Sequence, residues 1–352
     1  MRAAVYRGTG QISVEPVPTP PIGPGEMLVR VESCGICHTD LKKVEHDLLP
    51  PPRIFGHEMA GSVASIGEGV KRFSPGDRVV VFHHIPCLEC FYCRRKLYAQ
   101  CPTYKKVGVT AGYEPAGGGF SEYVRVMDWI VERGVVRIPD GVPFDRACFV
   151  EPVNTCLKAV NQVGLQPGAL VLILGQGPIG LIFTMLAQRT GARIVATDMI
   201  AHRRDLALRM RATAAWDPRD TDVVKQVASM SEGRGADAVI VAASAPGITD
   251  QAIACSRPGA KILLFSQTSH QERIEMSGAD ICIGERQIVG SYSASVDLQE
   301  ESARLVFSAE LPVEELISHR LPLEDIRSGI DLALHPDEQS LKIVVRPQRR
   351  AM

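Results

Sequence analysis

The sequence predicts an α/β protein in two parts, an irregular all-β body shaped as a partly open barrel and then a doubly wound parallel sheet. Three observations carry this. Up to about residue 150 the apolar runs are short, strand-like and broken by Gly and Pro clusters. After Pro167 strand, glycine turn and helix recur in that order, the rhythm of a parallel sheet. And 352 residues are too many for one small core but fit two domains of ordinary size.

In the first part the strand-like runs are residues 3–6, 27–32, 61–66, 78–82 and 121–126. Prolines at 16–25 and 50–52 forbid helix there and interrupt strand pairing, hence an irregular body. In the second part residues 170–174 read as strand, 175–180 as glycine turn, 181–189 as helix and 193–197 as the next strand. The rhythm continues through strand 237–242, a helix from Ile248, strand 261–265 and a last strand at 289–292, enough chain for a six-stranded dinucleotide fold. A helical stretch from Asp297, a helix at 323–334 and a strand at 342–345 complete the chain and are expected to return to the first part.

Composition narrows the class. With 45% apolar and 22% charged residues and a net charge of -1, there is no broad basic face for nucleic acid. Residues 1–8 lack the pattern of a signal peptide, and the apolar runs 169–174 and 181–183 fall far short of the roughly 20 residues that span a bilayer, so a cytoplasmic protein without a membrane partner is expected. Ten cysteines in such a compartment are poor disulfide candidates, and clustered ones point to metal.

Cys87, Cys90, Cys93 and Cys101 form a C-x2-C-x2-C-x7-C loop whose short spacings let four thiolates converge on the tetrahedron zinc prefers. An iron–sulfur cluster also takes four cysteines, but this spacing is less typical of one. Four filled positions leave no room for substrate, so this metal should staple a loop.

Gly175-Gln176-Gly177-Pro178-Ile179-Gly180 is a GxGxxG motif set between an apolar strand and a helix. In that setting the glycines let backbone N–H groups approach a pyrophosphate at a helix N-terminus. Asp198 closes the next strand, 18 residues beyond Gly180, where a carboxylate can accept from a ribose 2′-hydroxyl. That favours NAD, because a 2′-phosphate would meet a like charge. Against it stand His202, Arg203 and Arg204, which could attract such a phosphate.

Cys37, His57, Glu58 and Glu151 are scattered, and spacing does not join them. What joins them is resemblance. GICHTDL at 35–41, GHE at 56–58, the four-cysteine loop and the GxGPIG turn, in this order, resemble the zinc-containing medium-chain dehydrogenases of the alcohol dehydrogenase superfamily over nearly the whole chain. The resemblance is closest to the branch with threonine and polyol dehydrogenases, in which a carboxylate, here Glu151, stands at the third ligand position. It implies Cys37, His57 and Glu151 as ligands of a reactive zinc, with Glu58 as a fourth or alternating one. It also implies Thr39 as the group that accepts the substrate proton, Asp40 as hydrogen-bond partner of His57, and Thr155 near the nicotinamide. The fold implied is a GroES-like catalytic domain over residues 1–155 and 290–352 with a Rossmann NAD-binding domain over 156–289, the active site in the cleft.

On this reading the protein holds two zinc ions per subunit and NAD, and oxidises a small alcohol (secondary alcohol, polyol or amino alcohol) as a homodimer or homotetramer joined through the 289–295 edge strand. Bound zinc acts as a Lewis acid that makes the alcohol more acidic. Lys42 stands where many relatives carry a relay histidine, and an ordinary ammonium is a poor proton shuttle near neutral pH; water or His46 are the alternatives. Loops 46–55, 105–120 and 265–295 would line the substrate pocket. Two other readings are a superfamily member that recycles a retained cofactor, lyase-like or dismutase, and a regulatory or crystallin-like protein that has lost chemistry; the intact set Cys37, Thr39, His57, Glu58 and Glu151 argues against the latter.

Overall fold

The computed structural model describes residues 1–46, 48–113, 117–266 and 273–348. Parts of all three expected pocket loops, residues 47, 114–116 and 267–272, lie outside the described residues. The chain divides into two compact units, Met1–Asn154 with Ala294–Met352, and Thr155–Ser293.

The first unit opens with a hairpin of β1 (Arg2–Gly8) and β2 (Gln11–Pro16). Then come β3 (Met27–Gly35), helix α1 (His38–Glu45), β4 (Glu58–Ile66), β5 (Arg78–Val81), β6 (Val109–Thr110), β7 (Tyr123–Val126), α2 (Asp128–Arg133), β8 (Val135–Arg137) and α3 (Phe144–Ala147). β3 is the organising strand. One edge pairs antiparallel with β4, which continues to β5 and β8; the other pairs with β7 over Met27 to Arg30 only. Alternate residues Met27, Val29 and Val31 of β3 are fully buried, and Val79, Phe120, Val124 and Val126 are fully buried with them. Such burial on one face fixes the register, because a one-residue slip would turn that face to water.

Helix α4 (Val150–Val163) leads into the second unit. There β9 (Leu170–Leu174), α5 (Pro178–Arg189), β10 (Arg193–Thr197), α6 (Ala201–Arg209), β11 (Ala214–Trp216), α7 (Val223–Ser229), β12 (Ala236–Val241), α8 (Ile248–Cys255), β13 (Ser256–Leu264) and β14 (Gln287–Gly290) follow. The six strands are all parallel, in the order β11-β10-β9-β12-β13-β14. Central β9, the run LVLIL, is buried along its whole length, as a strand covered on both faces must be. The order reverses beside β9, which is where doubly wound sheets bind ligands.

The chain then returns to the first unit with β15 (Ile317–Pro322) and β16 (Lys342–Arg346). β16 pairs with the last residues of β3, at Cys34 and Gly35, on the edge that β7 leaves free, and pairs parallel with β15. Sharing one edge of β3 between two partners curls this eight-stranded sheet into a half-barrel. The expected fold class is the one observed, with local differences. The last strand of the parallel sheet ends at Gly290 and not Tyr292, because the chain leaves the sheet and turns through Ser293 in the left-handed region, φ 62°. Strands β2, β8, β11 and β15, short or largely polar, escaped the sequence reading.

Candidate metal centres and nucleotide turn

The four-cysteine loop is held by two short 3-10 turns and by side chains that root it in its own unit: Tyr98 donates its hydroxyl to Asp297 at 3.0 Å and Tyr104 to the Ala294 carbonyl at 3.0 Å. The sulfurs of Cys90 and Cys93 lie 3.5 Å apart, those of Cys87 and Cys101 3.6 Å, and those of Cys87 and Cys93 3.9 Å. Four thiolates about 2.3 Å from a tetrahedral zinc stand about 3.8 Å from one another, so the loop has the dimensions of a closed zinc site. Burial raises the Cys101 thiol, but the backbone N–H groups of Cys87, Tyr104 and Thr103 outweigh it and bring it down to about 6. Its neighbour Cys93 goes the other way, pushed up to about 12 by burial and then by the sulfur of Cys90, so of the two Cys101 is the readier thiolate.

The second cluster forms where β3, α1 and β4 meet. Gly35 ends β3 opposite Glu58, the first residue of β4. A Cβ at Gly35 would run into Glu58 Oε2 and Lys342 Cε, so a larger residue there would displace both of these side chains. Two residues on, Cys37 caps α1. Asp40, fully buried in the first turn of that helix, accepts from the Cys37 N–H at 3.3 Å and the Gly56 N–H at 3.4 Å and faces His57 Nδ1 at 3.1 Å. One carboxylate thus ties Cys37 and His57 together and leaves Nε2 as the ring nitrogen of His57 not engaged by Asp40.

The donor atoms of Cys37, His57 and Glu58 lie within 4.8 Å of one another. Burial works to lower the His57 pKa, yet Asp40 and Cys37 raise it well above the ordinary histidine value. A site that pulls a proton so strongly onto imidazole is built to attract a cation, and its thiol, imidazole and carboxylate are donors zinc accepts. Glu151, on α4, is buried beside this group; burial above all, with Glu58 adding and His57 opposing, raises its carboxyl to about 7. The compact trio therefore contains Glu58, which the sequence reading ranked behind Glu151.

Two residues here were not foreseen. Lys342, at the start of β16, is buried, forms an ion pair with Glu58 and donates to the Ile36 carbonyl at 3.0 Å. Burial would lower its pKa, but Glu58 and then Cys37 raise it above the usual lysine value. The other is His83, just after β5, whose ring centroid lies 4.8 Å from that of His57 and 4.1 Å from that of His84. Burial, with His84, His57 and Lys43 adding to it, pushes His83 well below the ordinary histidine value. Thr39 is partly exposed in the first turn of α1, Lys42 is partly buried further along it, and His46 is exposed at its end.

In the second unit the glycine turn sits between β9 and α5 as expected. Gly175 adopts φ 92°, a conformation that favours glycine, and a Cβ there would meet Ala243 Cβ at 2.5 Å. At Gly180 a Cβ would strike the Gly175 carbonyl at 1.9 Å, so α5 could not pack on the turn. Gly177 is different: its nearest neighbour would be Arg203 Nη1 at 4.0 Å, which leaves its surroundings open for an approaching phosphate. Pro178 starts α5, Ile179 follows in its first turn, and buried Gln176 takes a hydrogen bond from Thr184 at 2.8 Å. The Asp198 carboxylate accepts from the Gln176 N–H at 2.7 Å and the Ile200 N–H at 2.9 Å, with Arg203 at 3.9 Å. Thr155 is buried on α4, one turn beyond Glu151. A cavity of about 470 Å³ lies at the carboxyl ends of β12 and β13, lined by Ala243, Ser244, Gly247, Leu264 and Ser266.

Comparison with known proteins agrees with the fold. Residues 23–140 match the family model for the alcohol dehydrogenase GroES-like domain, and residues 178–308 that for the zinc-binding dehydrogenases. The chain is 31% identical to an L-threonine 3-dehydrogenase of Symbiobacterium thermophilum, covering 96% of this chain and 95% of that protein. It is 29% identical to a sorbitol dehydrogenase of Bacillus subtilis over 99% of this chain and 98% of the relative. A solved structure from Sinorhizobium meliloti 1021, described as a zinc-binding dehydrogenase bound to NADP, superposes with a TM-score of 0.88 at 30% identity, covering 98% of this chain and 99% of that one.

Proposed function

The chain belongs to the zinc-dependent medium-chain dehydrogenases of the alcohol dehydrogenase superfamily, and from that premise we propose that it oxidises a secondary alcohol, polyol or amino alcohol reversibly, with NAD as hydride acceptor. Its class is that of an oxidoreductase acting on CH–OH groups with zinc and a nicotinamide cofactor. The observation that carries the reading is the trio Cys37, His57 and Glu58 with Asp40 behind it. Unlike the four-thiol loop, this donor set leaves a coordination position for substrate.

When bound, zinc supplies Lewis acidity to an alcohol oxygen and the nicotinamide supplies the hydride acceptor. Cys37, His57 and Glu58 would hold the metal, with Glu151 as the carboxylate that completes or exchanges in its shell. Asp40 keeps the His57 proton on Nδ1, so that Nε2 is the nitrogen offered to the metal. Lys342 balances the charge of Glu58 and fixes that carboxylate when it is not on the metal. Thr39 takes the substrate proton and passes it toward water; His46 lies exposed at the end of the same helix. Thr155 would lie at the nicotinamide. Cys87, Cys90, Cys93 and Cys101 would hold the second, structural zinc.

For the cofactor, Gly175, Gly177, Pro178, Ile179 and Gly180 form the pyrophosphate turn. Asp198 would take the ribose 2′-hydroxyl, with Arg203, 3.9 Å from it, beside the cofactor. Residues 1–155 with 290–352 form the catalytic domain and 156–289 the NAD domain, in a cytoplasmic protein. The edge of β14 that no described strand pairs, with Ile288 on it and Ile281, Ile283 and Tyr292 exposed in the flanking sequence, fits a homodimer or homotetramer joined there. The test is reduction of NAD and, separately, NADP at 340 nm with butan-2-ol, sorbitol and L-threonine. Turnover with NAD on one of these classes is expected; turnover only with NADP removes the cofactor assignment, and none with either removes the substrate assignment.

A further inference from the structure

We propose that His83 is a specificity-determining residue that donates a hydrogen bond to a second hydroxyl on the carbon next to the one oxidised, so that the enzyme prefers vicinal diols and polyols over amino alcohols. The proposal rests on the alcohol-oxidising reading above.

His83 stands in a column of rings that starts at the reactive metal site. His57 lies 4.8 Å on one side and His84 4.1 Å on the other, and Tyr104 stacks on His84 at 5.2 Å. In the outer two imidazoles the Nδ1 atom has a partner: Asp40 at 3.1 Å for His57, and the Lys106 carbonyl at 3.1 Å for His84. His83 Nδ1 is buried and has no hydrogen-bond partner among the described residues. Buried polar atoms are nearly always satisfied, so an exception calls for a reason. Packing against the neighbouring rings does not supply one, because a phenyl ring would fill the column without a buried unpaired nitrogen.

The reason lies at the other edge of the ring. His83 is only partly buried as a residue, and Nε2 is not among its buried unpartnered atoms. A neutral imidazole carries one N–H. Of the two ways to leave Nδ1 unpaired, a buried bare acceptor is tolerated more often than a buried N–H, which places the proton on Nε2. The ring then presents an uncharged donor beside the metal ligand His57. A donor seeks oxygen and cannot pair with an ammonium, which has no acceptor. The positive charge of Lys43, felt by both His83 and His84, weighs further against an ammonium here. A neighbouring hydroxyl satisfies both conditions.

The test compares wild type with His83→Phe, which keeps the ring and removes its nitrogens, with His83→Leu should the phenyl variant fail to fold, and with His83→Gln, whose amide N–H can stand in for Nε2–H. Each is assayed for kcat/KM on butane-2,3-diol and on butan-2-ol, for zinc per chain, and by calorimetry for the Kd of the diol in the presence of NADH. The expected result is a fall of roughly tenfold in the diol to mono-ol ratio of kcat/KM in His83→Phe, the size of one uncharged hydrogen bond. A matching rise in diol Kd, unchanged zinc and substantial recovery in His83→Gln should accompany it. Equal loss on both alcohols, or no change in the ratio or in Kd, overturns the assignment. A wild-type enzyme that oxidises neither alcohol, yet oxidises L-threonine, overturns it as well; one that oxidises no alcohol at all overturns the reading on which it rests.

Discussion

Glu151 is buried next to His57 and Glu58, and burial is the main reason it holds its proton up to about 7, against 4.5 for a free glutamate. In zinc-free protein its ionisation therefore opposes folding. The sign follows from the raised folded value: the contribution is full below about 4.5 and is lost as pH rises through about 7. Glu151→Gln, which cannot ionise, should gain stability relative to wild type by up to about 3 kcal/mol on going from pH 5 to pH 8, as denaturant unfolding of the zinc-free proteins would show. An equal difference at both pH values would contradict it. Asp198 gives a second test at this scale. Asp198→Ala should lower kcat/KM for NAD by roughly tenfold more than for NADP, about one charge-assisted hydrogen bond, and an unchanged ratio would remove Asp198 from cofactor choice. The four cysteines, Asp198 and the glycines were legible from local spacing alone. Cys37, His57 and Glu151 needed a resemblance, because the fold and not spacing brings them near one another. Lys342 and His83 were illegible for a further reason: a lysine opening a strand and a histidine after one carry no local signal, and only the pairing of β16 with β3, and the ring column at the end of β5, place them against Glu58 and His57.

The strand, turn and helix from Leu170 to Arg189 separate two uses of glycine that one motif conceals. Gly180 is required by packing, since its Cβ would lie 1.9 Å from the Gly175 carbonyl, whereas Gly177 has nothing nearer than Arg203 Nη1 at 4.0 Å. Gly180→Ala should thus destabilise the second unit and weaken NAD together, by at least about 2 kcal/mol in unfolding free energy. Gly177→Ala should leave thermal unfolding within about 0.5 kcal/mol of wild type while raising the Kd for NAD, read by calorimetry. Loss of stability in Gly177→Ala without loss of NAD affinity would contradict the division. At this scale β9 and β10 could be read to the residue because a run buried on both faces carries an unmistakable apolar signal. β2 and β15, QISVEP and ISHRLP, could not, because each buries few of its residues and the rest are polar or proline.

Both candidate metal centres among the described residues fall within the first unit and differ in openness: four thiols would enclose one ion, while a thiol, an imidazole and a carboxylate would leave room at the other. That contrast is the central claim, and zinc content with turnover tests it most directly. Zinc per chain would be measured by elemental analysis, alongside NAD reduction with the best alcohol, in wild type, Cys37→Ser and Cys93→Ser. Wild type should hold two ions. Cys37→Ser should hold one and lose turnover to background while keeping its thermal stability; Cys93→Ser should also hold one but unfold at lower temperature and retain turnover below that point. A Cys37→Ser protein that keeps both ions and its activity would contradict the assignment of the reactive zinc to this site.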